Sequence, residues 1–231
     1  MSKTEHHLLF NLIAPVYGLF FRYQKRHYIK VILKIRQQTD LTEYDTILDV
    51  GCGTGALCAA LHACGLKVTG IDPAVRMLNI ARRKANVRLK ANAGHKINVT
   101  QAVDPVNKPD DVGIQFLEAN VLKTLPFADN SFDIAISSYV AHGLQAEDRK
   151  KMYAEMSRVA SRAVIIHDYN DRRSPLVTLV EWLEGGDYFR FIRQAEREMK
   201  DCLVEMKACF SDVRVVNVSK RANWYIGRPR G

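Results

Sequence analysis

No run of about 18 apolar residues occurs in this chain of 231, so the sequence predicts no membrane-crossing helix. Its amino end, Met-Ser-Lys-Thr-Glu-His-His, lacks the basic, apolar and small-residue succession of a secretory signal, and the expectation is a cytoplasmic protein. Cysteine is scarce and poorly spaced for cross-linking. There are five, an odd number: Cys52, Cys58 and Cys64 lie six apart, Cys202 and Cys209 seven apart, and no CxxC pair occurs. That argues against a disulfide framework and a zinc site of ordinary spacing and leaves small, reduced, buried thiols. Asp133 and Asp168 stand near strand ends without a clear third ligand, so no metal is expected. Internal repeats and low-complexity tracts are also lacking.

Basic residues, in contrast, are in excess. The net charge of +9 lies largely in short runs, Arg22 to Lys30, Arg82 to Lys90 and Lys220 to Arg230. No aromatic-interleaved basic motif accompanies them, which points away from nucleic acid and toward solubility or attraction to an acidic partner. At 47% hydrophobic and 26% charged, the composition fits one good-sized globular domain with room for a small appendage.

The chain alternates strands and helices. Residues 5–38 read as a helical lead, with Leu8, Leu9, Leu12, Ile13, Val16, Leu19 and Phe20 at helical spacing and Pro15 expected to break it in two. Predicted strands at Thr46–Val50, Lys67–Ile71, Ile114–Glu118, Ile134–Ser138 and Ala163–His167 alternate with helices at Ala56–Cys64, Ala74–Lys84 and Glu147–Val159. This is the pattern of a doubly wound α/β fold, a mostly parallel sheet with helices on both faces. The polar connection at about 86–113 is too long for an ordinary loop and reads as an insertion. Helices at Pro175–Glu184 and Tyr188–Cys209 follow, and then "VRVVNVS" and "ANWYIG". The turn between those two strands is so short that it permits only an antiparallel pair.

The chemistry starts in "TILDVGCGTGAL", where a buried strand runs into Gly51, Gly53 and Gly55. Such a turn lets a ligand approach the backbone, and the following helix offers free N–H groups, whether the ligand is a dinucleotide or another nucleoside. Asp49 separates the two readings. A carboxylate two residues before the first glycine repels a pyrophosphate but suits a ligand carrying an ammonium group. Asp72 closes the second strand, where an acidic residue accepts hydrogen bonds from ribose hydroxyls. Asp49 and the terminal hairpin therefore argue against an NAD-dependent oxidoreductase.

"ILDVGCGTGAL", "GIDPAVRMLNIARRKA", "FLEANVLKTLPFADNSFDIAISSYVAHGL" and "YAEMSRVASRAVIIHDYN" together resemble, in order and spacing, the class I S-adenosylmethionine-dependent methyltransferases. Within them the resemblance is to the small-molecule group that includes quinone-biosynthesis C-methyltransferases and phospholipid N-methyltransferases. It covers about Thr46 to Asn170 and implies a Rossmann-like, seven-stranded sheet with an antiparallel end. The expected organisation is an N-terminal helical lead or lid at 1–40 and a methyltransferase domain at 41–231. The family's usual Pro-Gly-Gly turn before the fifth strand is replaced here by Ala160-Ser161-Arg162-Ala163.

The resemblance implies S-adenosylmethionine as cofactor and S-adenosylhomocysteine as product. Gly51, Cys52, Gly53 and Gly55 would hold it, with Asp49 on the ammonium end and Asp72 on the ribose. Met77 would pack on the adenine, Asn120 and Val121 would contact its edge, and the Ser137 carbonyl would meet the ammonium. His142 would face the transferring methyl and is the first candidate for a base. His167 and Asp168 come second, and Tyr17, after "AxxY", is a candidate lid or orienting residue. Plainer readings stand beside these: Asp49 as a brace for the turn, Met77 as helix core, His142 as an ordinary loop residue. His167 and Asp168 are adjacent on a strand, so their side chains are expected on opposite faces and not as a dyad with each other. Trp182, Tyr188 and Phe189 fit either an acceptor pocket or the core.

The expected function is methyl transfer to a small-molecule acceptor, with a quinone precursor or a lipid-like compound in view. The alternatives are a nucleic-acid or protein methyltransferase using the basic surface and an S-adenosylmethionine-binding protein without turnover. The "NPPY" type of base-methyltransferase signature is absent, with "SSYVAH" in its place. The apolar stripe of the lead, flanked by Arg22, Lys25, Arg26 and Lys30, suits either an amphipathic helix packed on the domain or peripheral membrane contact.

Overall fold

A computed structural model describes residues 3–84, 114–170, 201–220 and 222–230. The insertion at about 86–113, the helix at Pro175–Glu184 and the residues Trp182, Tyr188 and Phe189 lie outside them, as does the first part of the helix predicted to end at Cys209. In chain order the elements are α1 (Lys3–Ile35), β1 (Thr46–Val50), α2 (Ala56–Ala63), β2 (Lys67–Asp72), α3 (Val75–Lys84), β3 (Gln115–Glu118), β4 (Phe132–Ser138), α4 (Ala146–Val159), β5 (Ala160–Tyr169), β6 (Asp212–Asn217) and β7 (Ala222–Arg228). Helical residues at 201–209 precede β6.

One seven-stranded sheet forms, in the order β3-β2-β1-β4-β5-β7-β6. β1 pairs in parallel with β2 and β4, and β4 with β5, while β7 runs antiparallel to both β5 and β6. From β1 the chain winds outward to β2 and β3, then returns to lay β4 on the other side. The carboxyl ends of β1 and β4 therefore flank the point where strand order reverses, where open α/β sheets bind ligands. Central parallel strands are covered on both faces and read as continuous apolar runs. Ile47, Ile134, Ile136 and Ile165 accordingly face α1 and α2 through Ile35, Leu57, Cys58 and Leu61. Leu48, Val50, Ala135, Val164 and Ile166 face α4 and Phe210 through Met152, Tyr153 and Met156.

Pro15 does not break α1, contrary to the sequence expectation. It sits inside one 33-residue helix. A proline there removes a helical hydrogen bond and costs about 3 kcal/mol, and tertiary packing offsets it. Ala14 is buried with Ala74, Met77 and Ile80, and a Cβ on Gly18 would lie 3.4 Å from Ile80. The smallest side chains of α1 thus bring its backbone down onto α3.

On the other face a nearly buried ion pair ties α4 to the 201–209 segment. Arg149 Nε donates to Glu205 Oε2 at 2.8 Å and Nη2 to Oε1 at 3.0 Å, while Nη1 donates to the Leu144 carbonyl at 2.6 Å. Removing one partner strands the other charge, which costs about 3–5 kcal/mol when buried. Glu205 retains 13% side-chain exposure, so Arg149→Ala is expected to cost about 3 kcal/mol in urea denaturation. The double variant Arg149→Met, Glu205→Leu should recover most of it; recovery of nothing would show that the ion pair is not the source.

Candidate functional site at the carboxyl edge of the sheet

β1 delivers Asp49 and the glycine turn to this edge. Gly51, Gly53 and Gly55 take φ of +72°, +52° and +76°, a region closed to most side chains. A Cβ on Gly51 would come within 2.6 Å of Val140 and one on Gly55 within 2.8 Å of Phe116, whereas one on Gly53 meets nothing within 4 Å. The outer glycines let the turn lie against the loop after β4 and against β3. The middle one borders open space.

Two carboxylates frame that space. Asp49 is 1% exposed. The Cys58 thiol donates to its Oδ2 at 3.0 Å, while Oδ1 has no hydrogen-bond partner among the described residues. Burial pushes the Asp49 carboxyl up to about 7, with the Cys58 hydrogen bond opposing and the charge of Asp72 adding to the rise. Asp72 accepts the Gly53 N–H at 2.9 Å and the Ala74 N–H at 2.7 Å; a carboxylate has roughly four lone-pair sites, so bracing the turn does not exhaust it. Such a pair calls for a cation at Asp49 and hydroxyl donors at Asp72. An amino-acid-bearing nucleoside fits both demands, and a pyrophosphate fits neither.

The other sequence candidates around the turn are mostly enclosed. Cys52 is 8% exposed, and burial pushes its thiol up to about 11. Met77 is buried between α1 and α3 with Ala14, Ala74 and Ile80, which is its core reading. Asn120 Oδ1 accepts the Leu122 N–H at 2.9 Å, so its carbonyl already closes its own turn with one lone pair to spare. Val121 packs into the core on the α4 face. Ser137 sits between Val50 of β1 and Ile166 of β5, and its hydroxyl is buried without a partner among the described residues.

The loop after β4 carries the second group of residues. His142 Nδ1 lies 2.8 Å from Asp168 Oδ1, and the His142 backbone N–H donates to Asp168 Oδ2 at 3.2 Å. The Tyr169 N–H donates to Oδ1 at 2.8 Å. Asp168 is wholly buried while the His142 side chain keeps 16% exposure. A carboxylate only accepts, so this contact favours the imidazole tautomer with its proton on Nδ1 and its lone pair on Nε2. This His–Asp pair was not read from the sequence. The signal lay in the topology: His142 follows β4, Asp168 ends β5, and β4 and β5 are neighbours.

His167 stands apart from that pair. As alternation along the strand predicts, it faces away from Asp168. It is fully buried, near the rings of Tyr28, Tyr139 and Trp224, and desolvation pushes it down to about 4, so it is neutral at neutral pH. Its Nδ1 is hydrogen-bonded to Ser138 Oγ at 3.1 Å, and Ser138 Oγ shares a 3.0 Å hydrogen bond with Tyr28 OH. The N-terminal helix therefore does reach the site, through Tyr28. Tyr17 is 42% exposed and lies eleven residues earlier, about 16 Å along the helix.

Tyr139 completes the group. Its φ of +56° is uncommon for a non-glycine residue and costs on the order of 1–3 kcal/mol. The conformation is held by its N–H donating to the His167 carbonyl at 2.8 Å. Its ring centroid lies 5.0 Å from that of Tyr169 and 6.4 Å from that of His142, and Tyr169 lies 4.9 Å from His142. Two tyrosines thus flank the imidazole that Asp168 orients.

A family model described as a methyltransferase domain matches residues 48–166, the span from β1 to β5. Over 168 residues the chain is 27% identical to an uncharacterized methyltransferase of Bacillus licheniformis, covering 71% of this chain and 67% of the relative. A shorter stretch of 39 residues is 54% identical to a ubiquinone biosynthesis O-methyltransferase of Methylocella silvestris, 17% of this chain and 15% of that one. Among solved structures, a protein of Methanococcus maripaludis provisionally assigned as an S-adenosyl-L-methionine-dependent methyltransferase superposes with a TM-score of 0.66. The identity is 16%, over 96% of this chain and 94% of the other, which is a likeness of fold.

Proposed function

Because the chain belongs to the methyltransferase domain family, as a class I S-adenosylmethionine-dependent enzyme, we propose that it methylates a small, planar, largely apolar acceptor at a hydroxyl group. The observation that carries the reading is the His142–Asp168 pair, held beside the glycine turn through Val140. The short stretch similar to a ubiquinone biosynthesis O-methyltransferase supports the same class of acceptor.

S-adenosylmethionine, when bound, supplies a methyl group on a positively charged sulfur. Asp49 would hold its ammonium end and Asp72 its ribose hydroxyls, and the Gly51–Gly55 turn would give the close backbone approach. Cys52, Asn120 and Ser137 would border the cofactor, with Met77 and Val121 packed in the core behind them. His142 Nε2 takes the proton of the acceptor hydroxyl as its oxygen becomes nucleophilic. Asp168 keeps the other ring nitrogen protonated and stabilises the imidazolium that results. Tyr139 and Tyr169 orient a flat acceptor by stacking at its faces or edges. The lead at 1–40 covers the site and excludes water, a role supported by the Tyr28–Ser138 hydrogen bond.

The test has two arms. Calorimetry with S-adenosylhomocysteine is expected to give one site with micromolar affinity. Mass spectrometry of a panel of phenols, hydroxyquinones, aliphatic alcohols and amines is expected to give methylation first among the phenolic hydroxyls. No binding in folded protein removes the cofactor assignment. Methylation of RNA or protein, with none of the panel turned over, removes the small-molecule acceptor.

A further inference from the structure

We propose that Cys58 is a positioning residue for the cofactor: its thiol proton engages Oδ2 of Asp49, leaving Oδ1 as the oxygen that meets the ligand's ammonium. This rests on the assignment of Asp49 to the ammonium end made above.

Three observations converge on it. The thiol lies 3.0 Å from Oδ2, and Cys58 is fully buried in the first turn of α2. The partner oxygen Oδ1 is buried with no partner among the described residues, so the thiol engages one side of the carboxylate and leaves the other unengaged. The third observation lies on the neighbouring strand. Gly70 of β2 stands opposite Asp49 in register, and a Cβ there would lie 2.8 Å from the Cys58 sulfur. The same Cβ would lie 2.9 Å from the Phe116 ring, so a glycine at 70 makes room for both the thiol and that ring, and a larger residue there would press on the thiol as well as on Phe116.

The direction of the effect follows from which form the thiol stabilises. A donor to Oδ2 favours the carboxylate over the carboxylic acid, and an ammonium binds the carboxylate. Four titratable groups among the described residues act on Asp49: Cys58 from α2, Cys52 from the turn, Asp72 from β2 and Tyr28 from α1. Cys52, Asp72 and Tyr28 are anionic or neutral and so disfavour the charged carboxylate or leave it unchanged. Cys58 favours it through hydrogen bonds from both its thiol and its backbone N–H, and only the thiol's, for which Cys52 is a second partner, is lost in an alanine variant.

The experiment compares wild type, Cys58→Ala and Cys58→Ser by calorimetry with S-adenosylhomocysteine from pH 6 to 8, with melting temperatures in parallel. Cys58→Ala is expected to weaken binding about five- to tenfold at neutral pH, less than an ordinary hydrogen bond to a charged group is worth because a thiol is a weak donor. Its affinity should begin to fall at a higher pH than in wild type. Cys58→Ser keeps a donor and should stay within about twofold on the same scale. In wild type, the infrared S–H stretch absent from Cys58→Ser should lie below that of an unbonded thiol and shift when the ligand is added. This reading does not depend on how well the alanine variant folds. The proposal is overturned if Cys58→Ala follows the wild-type affinity at every pH. Equal weakening of serine and alanine variants overturns it too, since packing alone would then be at work. An unshifted S–H band would do the same. If wild type itself binds no S-adenosylhomocysteine, the cofactor assignment fails first.

Discussion

His142→Ala is expected to lower kcat by two to four orders of magnitude, the usual contribution of a positioned general base, and to leave affinity for S-adenosylhomocysteine within about twofold of wild type. The split follows from where the residue sits. His142 lies in the loop after β4, while the carboxylates assigned to the cofactor are on β1 and β2. Its Nδ1 is engaged by a buried carboxylate, so the ring is held in one orientation and one tautomer before any acceptor arrives. Asp168→Asn should be nearly as damaging in kcat. An amide can offer N–H where the imidazole also offers N–H, and the ring then moves its proton to Nε2, where a base must be bare. Asp168→Glu retains the charge but moves it by one methylene, and should fall between the two. The measurement is steady-state methylation of the best acceptor in the panel, with calorimetry as control. A His142→Ala enzyme that retains more than about a tenth of the wild-type kcat is incompatible with His142 as base.

Asp49→Asn is expected to weaken S-adenosylhomocysteine binding roughly 10- to 100-fold at pH 7.5, the worth of about 1.5–3 kcal/mol for a hydrogen bond to a charged group. The pH dependence is as telling as the magnitude. In wild type the Asp49 carboxyl, raised to about 7 by burial, is increasingly protonated below neutrality, and an ammonium ligand must displace that proton. Affinity therefore falls by roughly tenfold between pH 7.5 and 6. In Asp49→Asn that fall disappears. Stability without ligand behaves in the opposite sense. The folded carboxyl binds its proton more tightly than the unfolded one, so Asp49 contributes stability at low pH that is lost as pH rises toward 7. His167, lowered to about 4, works the other way: its burial as a neutral ring costs stability as pH falls from about 6.5 toward 4. The two slopes oppose each other in that window, and Asp49→Asn should expose the His167 slope alone. Denaturant titrations of both proteins across pH 4 to 7 decide it; equal profiles would mean that Asp49 is not protonated there.

Much of this fold could be read from the amino acids because the signals are local. Val50 runs directly into Gly51, and the turn between β6 and β7 is too short for anything but a hairpin. Pro15 was misread for the complementary reason: its local penalty is outweighed by Ala14 and Gly18 meeting α3, a contact no window of α1 contains. The site divides along the same line. Asp49, the glycines and Asp72 are legible by their positions at strand ends, and His142 by its place after β4. The partners that give them chemistry are not local. Asp168 lies 26 residues from His142, and Ser138 lies 110 residues from Tyr28. The strain at Tyr139 is a matter of backbone angle, which no residue pattern near Ser138 announces. Cys58 reads as a small buried residue, and so it is; the direction of its thiol is seen only in the folded contact with Asp49.

The same Tyr28–Ser138 separation governs the order of events on the ribosome. A helix forms within about a microsecond once its residues are free, so α1 exists early in synthesis. The strand end that anchors Tyr28 is made 110 residues later, which at about 5–20 residues per second is roughly 5 to 20 seconds. During that interval Phe21, Val31, Ile32 and Ile35, buried in the finished protein, have no sheet of four strands to cover them. For those seconds the apolar face of α1 has no sheet to pack against, and its stability as a helix, which comes mostly from such packing, waits on β4.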